Sequence, residues 1–124
     1  MSEAGRVGVM EHTMSEHELR TVIARREFEC GSEKVILEIG TPYPVDEGRN
    51  WFCPWRISGL GFDKVRRTGG VDSMQALYLA MQSAAADLYS CDVARQQSLR
   101  WLDQRNLGLP FLSAIADLVP PEDE

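Results

Sequence analysis

The chain has 124 residues, 44% of them hydrophobic, and a formal net charge of −6 at pH 7. This length and composition are typical of one globular domain with a single modest core. No apolar run approaches the ~20 residues that span a bilayer, and no basic region followed by an apolar core opens the sequence. We therefore expect a cytoplasmic protein with no membrane partner.

The negative charge lies at the two ends of the sequence. Residues 1–18 carry one Arg and four Glu, and residues 122–124 are all acidic. Residues 19–121 hold 12 basic and 12 acidic side chains, so the body of the protein is neutral. Because a nonspecific nucleic-acid binder needs a basic excess, we expect no nucleic-acid partner.

Three segments are expected along the chain. Residues 1–18 have neither a helical nor a strand period, which predicts a flexible tail. Residues 19–119 carry the periodic patterns of a single domain, and residues 120–124 are predicted to form an acidic tail. Met14 is a second in-frame start that would place the first regular element near the beginning of the chain.

Three strands are predicted in the first half of the domain. Residues 19–29 and 35–41 alternate apolar and polar side chains on either side of a turn, which predicts a hairpin. Residues 41–50 contain two prolines and a glycine and are predicted to be a loop. The third strand is predicted at 51–61, where an internal proline favours an edge position or a bulge. Residues 62–68 either continue this strand or return as a short hairpin.

The clearest pattern predicts a long helix over residues 72–90. Asp72 or Ser73 can cap its first turn, and Gln75 has the capping-box spacing from Asp72. Five alanines raise the helix propensity, and a helix this apolar needs cover. We expect an α+β fold, a three- to four-stranded antiparallel meander with this helix packed on one face. The predicted apolar row is Leu77, Met81, Ala84 and Leu88, with Met74, Tyr78 and Ala85 beside it.

The pattern beyond the helix allows two interpretations. Residues 99–102 fit a fourth strand followed by a turn at 103–106, or a second helix that ends at Gly108. Residues 111–119 have apolar side chains at helical spacing behind Pro110, which predicts a short helix.

The predicted domain lacks the residues that most catalytic and metal sites need. His12 and His17 both lie in the N-terminal tail, which leaves the domain without the commonest general base and metal ligand. Cys30, Cys53 and Cys91 are widely spaced, and we expect free buried thiols. We therefore expect no metal site, no cofactor and no catalytic residue.

Two places in the sequence are candidates for binding. Lys64, Arg66 and Arg67 stand just before the predicted helix start, where cations and free amides can converge on an anion. The plainer interpretation is a solvated basic strand end followed by a capping box. Trp51 begins its strand beside a proline-rich loop, and Trp and Arg are enriched in interface hot spots. The candidate ligand- or partner-binding residues are Trp51, Arg66, Arg67, Asp72, Ser73 and Gln75.

The strand WFCPWRISGLG and the helix start GGVDSMQALYLAM, followed by LRWL and LGLP, resemble a family of small bacterial domains of unknown function. That family has a Cys-Pro-aromatic-Arg-Ile strand ahead of a Gly-Val-Asp-Ser-x-Gln-Ala-Leu helix start. The resemblance covers roughly residues 19–110. It implies a bacterial origin and an antiparallel sheet with a packed helix, and it carries over no activity. Some similar small acidic proteins are regarded as immunity or accessory proteins beside toxins.

From these observations we expect an uncharacterised noncatalytic protein that acts through protein–protein contact, with an immunity-like or accessory role. Its partner would be another protein or a second copy of the chain, on the sheet face that the helix leaves open. The alternative is a small anionic-ligand binder at residues 66–75. A further alternative is an enzyme of unknown class.

Overall fold

A computed structural model of the protein describes residues 19–92, 96 and 98–122. The predicted tail at 1–18 and the last two residues of the predicted acidic tail lie outside the described residues. The elements are β1 (Val22–Cys30), β2 (Glu33–Gly40), β3 (Tyr43–Val45), β4 (Asn50–Gly59), β5 (Phe62–Gly70) and α1 (Ser73–Ser90).

The five strands form one antiparallel sheet, and α1 packs against it. One edge of β4 pairs with the whole length of β5. The other edge pairs with β3 over residues 50–52 and with β2 over residues 55–58, so β2 and β3 share one row of the sheet. β1 pairs with β2 on the far side. The predicted α+β fold and antiparallel meander are therefore confirmed, with five strands instead of three or four.

The additional strand lies in the segment that was predicted to be a loop. The prediction for residues 41–50 is wrong at β3, where Pro44 lies opposite Trp51. Proline is tolerated there because β3 is short and has β4 on one edge only, so the missing N–H interrupts no continuous ladder. The alternative of a returning hairpin after β4 is confirmed. Its turn residues Leu60 and Gly61 both have positive φ, as tight hairpin turns require.

The core lies between α1 and one face of the sheet. Cys53, Trp55 and Ile57 project from β4 into this core, as their alternation predicts, and β2 adds a second row of buried aliphatic residues. The row of α1 that meets them is formed mainly by alanines spaced four residues apart. The buried residues of the helix row are Ala76, Ala80, Ala84 and Leu88.

The predicted apolar row of α1 is correct only at its C-terminal end. Leu77 and Met81 are half-buried, and Met74 and Tyr78 are exposed. The helix is rotated from the predicted orientation because small side chains let its backbone approach the sheet more closely than leucine or methionine would.

The closest approach lies where β5 ends. A Cβ on Gly70 would lie 2.5 Å from the backbone nitrogen of Ala76. Further along, the Trp55 indole donates to Thr68 Oγ1 at 2.9 Å, and Thr68 Oγ1 lies 3.4 Å from Ser83 Oγ. α1 therefore runs antiparallel to β5, with its first turn above the end of that strand.

The segment after α1 completes the cover over β1 and β2. Arg100 exchanges two backbone hydrogen bonds of 2.8 Å with Glu29, and the hydroxyl of Tyr89 accepts from the Leu107 amide at 2.7 Å. Within residues 99–102, Arg100 bridges Glu29 of β1 and Trp101 bridges Gln104, so the second-helix alternative is wrong and the predicted fourth strand is reduced to isolated bridges. The predicted short helix at 111–119 is a 3-10 helix, Ser113–Leu118.

The opposite face of the sheet is partly covered by the residue at which the described chain begins. Leu19 is almost fully buried and forms a small apolar cluster with Val65 of β5. Its backbone carbonyl also lies where a side chain on Gly40 would project.

The close approach at Gly70 predicts a large effect of one methyl group. In Gly70→Ala the new Cβ meets the backbone of α1, which cannot move aside without the whole helix, so we expect about 2–3 kcal/mol of destabilisation in urea unfolding. The matched control is Gly69→Ala, whose Cβ would lie 3.2 Å from the Phe52 ring edge. It should cost less than about 1 kcal/mol, and equal costs for the two variants would contradict the described packing.

Candidate functional site

The thiols provide little for catalysis in this structure. All three cysteines are free, as predicted, although only Cys53 is fully buried. Burial raises the pKa of the Cys53 thiol to about 12, so the nucleophilic thiolate is absent near neutral pH. No grouping of His, Cys, Asp and Glu suitable for a metal ion occurs among the described residues.

The helix start contains a reciprocal pair of side-chain hydrogen bonds. Asp72 Oδ1 accepts from the Gln75 amide at 2.8 Å, and Gln75 Oε1 accepts from the Val71 amide at 2.8 Å. Asp72, not Ser73, is therefore the N-cap, and the predicted partnership with Gln75 is confirmed. Asp72 Oδ1 and Gln75 Oε1 are thus both occupied by backbone amides of the protein, which gives Asp72 a structural role.

The two arginines that precede the helix lie on opposite faces of the sheet. Arg66 points towards α1, where its guanidinium lies 3.1 Å from the carboxylate of Asp87. Arg67 lies on the other face, where its guanidinium stacks 4.6 Å from the centre of the Phe52 ring and donates to the Tyr43 hydroxyl at 3.0 Å. The predicted convergence of both arginines on one anion does not occur, because successive strand residues alternate between faces.

One cavity nevertheless gathers three of the candidate residues. It has a volume of about 540 Å³ and opens between the turn after β3, the first residues of β4, the end of β5 and the first turn of α1. Trp51, Arg67 and Gln75 line it, whereas Arg66, Asp72 and Ser73 do not. We refer to this space as the corner cavity.

The corner cavity has an unneutralised cation. Among the described residues, Arg67 has no carboxylate partner. The one acidic side chain in the lining, Asp46, accepts a hydrogen bond of 3.2 Å from the Asn50 side chain. The stacking of Arg67 on Phe52 fixes the guanidinium plane while leaving other N–H groups for a ligand. The cavity therefore combines a positioned cation with the aromatic side chains of Trp51 and Phe52.

An exposed apolar row continues from the cavity along α1. Val71 lines the cavity and is 66% exposed, Met74 is 77% exposed and Tyr78 is 49% exposed. These three residues follow one another at spacings of about one helical turn, and we call them the apolar rim. The sequence interpretation placed Met74 and Tyr78 beside the buried row. The four-residue spacing of Ala76, Ala80 and Ala84 was the signal that could have placed them outside.

A second cavity of about 430 Å³ lies at the opposite end of the helix. It opens between the β4–β5 turn and the last turn of α1, and the Arg66–Asp87 ion pair lies in its wall. Its remaining polar residues include Lys64 and Cys91. Its arginine is therefore neutralised, whereas Arg67 in the corner cavity has no carboxylate partner among the described residues.

Comparison with known proteins identifies a family without an assigned activity. The family described as Domain of unknown function (DUF6968) matches residues 24–111, and the chain belongs to this family. The match runs from β1 into the segment after α1 and includes every lining residue of the corner cavity. No curated protein and no solved structure matches the chain.

Within the described part of the chain, no helix is long and apolar enough to cross a membrane.

The geometry of the helix start predicts that its two polar residues differ in their effect on stability. Asp72→Ala removes the acceptor of the Gln75 amide and should lower the free energy of unfolding by about 1 kcal/mol. Ser73→Ala, one position along, should change it by less than about 0.5 kcal/mol. Urea unfolding of both variants is the measurement, and a larger loss from Ser73→Ala would reassign the cap.

Proposed function

We propose that this is a noncatalytic cytoplasmic protein of bacterial origin that binds a partner protein through the corner cavity and the apolar rim. An immunity-like or accessory role is part of this proposal. The observation that carries it is the continuity between the exposed side chains of Val71, Met74 and Tyr78 and a cavity lined by Trp51 and Arg67.

The composition of this surface favours protein contact. Tyr, Trp and Arg are the residues most enriched in interface hot spots, and all three types occur here around a depression. Met74 supplies a flexible, polarisable side chain that adapts to a partner surface. Burying the rim would remove three apolar side chains from water at once, which scattered exposed residues do not offer.

The surface also indicates what the partner presents. An apolar segment suits the rim, and a carboxylate suits Arg67, which is held by Tyr43 and Phe52 without a carboxylate of its own among the described residues. Arg20 lies 4.1 Å from the centre of the Tyr43 ring and adds a second cation nearby. We expect a partner segment that combines apolar side chains with an acidic group.

A substitution on the rim should abolish partner capture. With the tagged protein as bait in a lysate of the source organism, Met74→Lys should reduce recovery of the partner about tenfold, because it puts a charge into the buried centre of the contact. Leu102→Lys is the matched control, since Leu102 is 71% exposed but lies beyond α1, in the turn after the bridge to β1. Recovery of the same proteins at the same yield with the wild type, Met74→Lys and Leu102→Lys would contradict the proposal.

The same variants test whether the partner is a second copy. Sedimentation of the purified wild type would then give a dimer that Met74→Lys dissociates and Leu102→Lys leaves intact. A dimer that neither variant affects would place the self-contact elsewhere.

A second candidate function is the binding of a small anion in the corner cavity. The specific observation in its favour is Arg67, which lines the cavity and has no carboxylate partner among the described residues; its Nε, like that of Arg66, is also buried without a hydrogen-bond partner there. A phosphate or carboxylate that entered the cavity would supply acceptors to this guanidinium.

Phosphate provides a direct test of this candidate. At about a hundredfold excess over its Kd, phosphate should stabilise the wild type by about 2.7 kcal/mol and raise Tm by several degrees, measured against chloride at equal ionic strength. Arg67→Gln should lose this rise, whereas Arg66→Gln should keep it, because Arg66 is engaged with Asp87 on the other face. An equal rise in both variants would rule out the corner cavity as the anion site.

A further inference from the structure

Within the described part of the chain, the outer edge of β5 is a long and regular stretch of unpaired backbone. β5 pairs with β4 from Gly59↔Phe62 to Trp51↔Gly70 without a register shift. Among the described residues, no strand pairs with the other edge of β5. Because strand amides and carbonyls alternate between the two edges, about half of those in β5 point outwards and have no backbone partner in residues 19–92, 96 and 98–122.

The other edges of the sheet are protected in ways that β5 is not. β1 has a register shift between Val22 and Ala24, and Arg100 occupies part of its outer edge through Glu29. β3 has three residues, one of them Pro44. β5 has nine residues, no proline and no bulge, and it ends in two glycines that place no side chain beside the backbone. Natural proteins protect an exposed sheet edge against pairing with other chains, and in β5 this protection comes from charged side chains.

The charge on β5 is predominantly positive. The strand carries Lys64, Arg66 and Arg67 against one carboxylate, Asp63, although Arg66 is neutralised by its ion pair with Asp87 of α1. Lys64 is exposed and has no ion pair among the described residues. Antiparallel pairing of β5 with its own copy would place this basic tract opposite itself, and like charges directly opposite destabilise a strand pair. The edge therefore disfavours a second copy and favours an acidic strand.

We propose that the outer edge of β5 binds an extended acidic peptide segment as an additional strand of the sheet. Main-chain hydrogen bonds to the outward amides and carbonyls would provide the affinity, and Lys64 would select acidic side chains. This site is distinct from the corner cavity, because it uses the backbone edge and Lys64, which does not line that cavity.

The probe is a fluorescein-labelled peptide of nine residues that alternates Glu with Val, compared with a peptide that alternates Gln with Val. Fluorescence anisotropy with the full chain should show binding of the acidic peptide and weaker binding of the neutral one. Two further acidic peptides carry N-methyl groups on alternate residues, which removes the N–H donors from one edge of the peptide strand. The first peptide is methylated on one edge and the second on the opposite edge. Methylation of the edge that faces β5 should abolish binding, and methylation of the other edge should leave it unchanged. Equal binding of both methylated peptides would show that charge alone attracts them and would overturn the proposal.

Variants of the protein locate the bound peptide. Lys64→Glu should weaken binding about tenfold, because it reverses a charge at the edge. Lys34→Glu is the matched control, since Lys34 is an exposed lysine in β2, on the far side of β4 from β5. If Arg67→Gln abolishes binding and Lys64→Glu does not, the peptide occupies the corner cavity and the edge proposal is wrong. Failure of both acidic and neutral peptides to bind would also overturn it, and would leave the partner-capture test of the apolar rim unaffected.

Hydrogen exchange gives an independent readout. In the free protein the outward amides of β5 should exchange rapidly, and the acidic peptide should slow them while leaving the amides of β1 unchanged. Protection of the outward amides in the free protein would mean that this edge is already paired, which would contradict the proposal.

Discussion

The close approach of α1 to the sheet at Gly70 is the constraint on which the rest of the structure depends. A side chain on Gly70 would overlap the backbone of Ala76, so the first turn of the helix lies directly on the end of β5. The buried row of Ala76, Ala80 and Ala84 maintains this short distance along the helix. Small side chains make contact through the backbones themselves, and such contact specifies the position of a helix more strictly than long, adaptable side chains do.

This placement determines which residues are available for binding. Because the alanine row faces the sheet, Met74 and Tyr78 remain outside, and because the helix starts above the end of β5, Gln75 lies beside Trp51 and Arg67. The Asp72 cap fixes the residue at which the helix begins. The first turn of α1 therefore serves both the packing of the helix and the proposed binding surface. The Asp72 cap contributes to that surface only by positioning the residues next to it.

The sheet supplies the remaining wall of the corner cavity. The short β3 row brings Tyr43 against Phe52, with the two ring centres 6.2 Å apart, and Arg67 is held between them by a hydrogen bond to one and stacking on the other. The strand that was missed from the sequence is thus the one that positions Arg67. Pro44 concealed it, since proline in a short segment argues for a loop unless the segment pairs on one edge only.

The sequence predicted the features that depend on local pattern. The alternation in β1, β2 and β4 identified three strands, and the Asp72–Gln75 spacing identified the helix start, because both patterns report backbone geometry directly. The rotation of α1 depends on how closely two elements can approach, which periodicity alone does not describe. The separation of Arg66 from Arg67 followed from strand alternation, but only once β5 was known to extend through Gly70. The cavity itself forms where residues 45–52 meet residues 67–75, two segments that the β4–β5 hairpin separates in the chain, so no local pattern indicated it.

We expect that the close approach of the two backbones holds α1 against β4 and β5, so that the helix does not separate from them while the sheet stays folded. Native-state hydrogen exchange across low urea concentrations tests this most directly. The amides of Ala80 and Ala84 should open with the same free energy as the amide of Trp55, equal to that of global unfolding. Exchange of the α1 amides at a distinctly lower free energy than that of β4 would show that the helix opens independently, and would contradict the account.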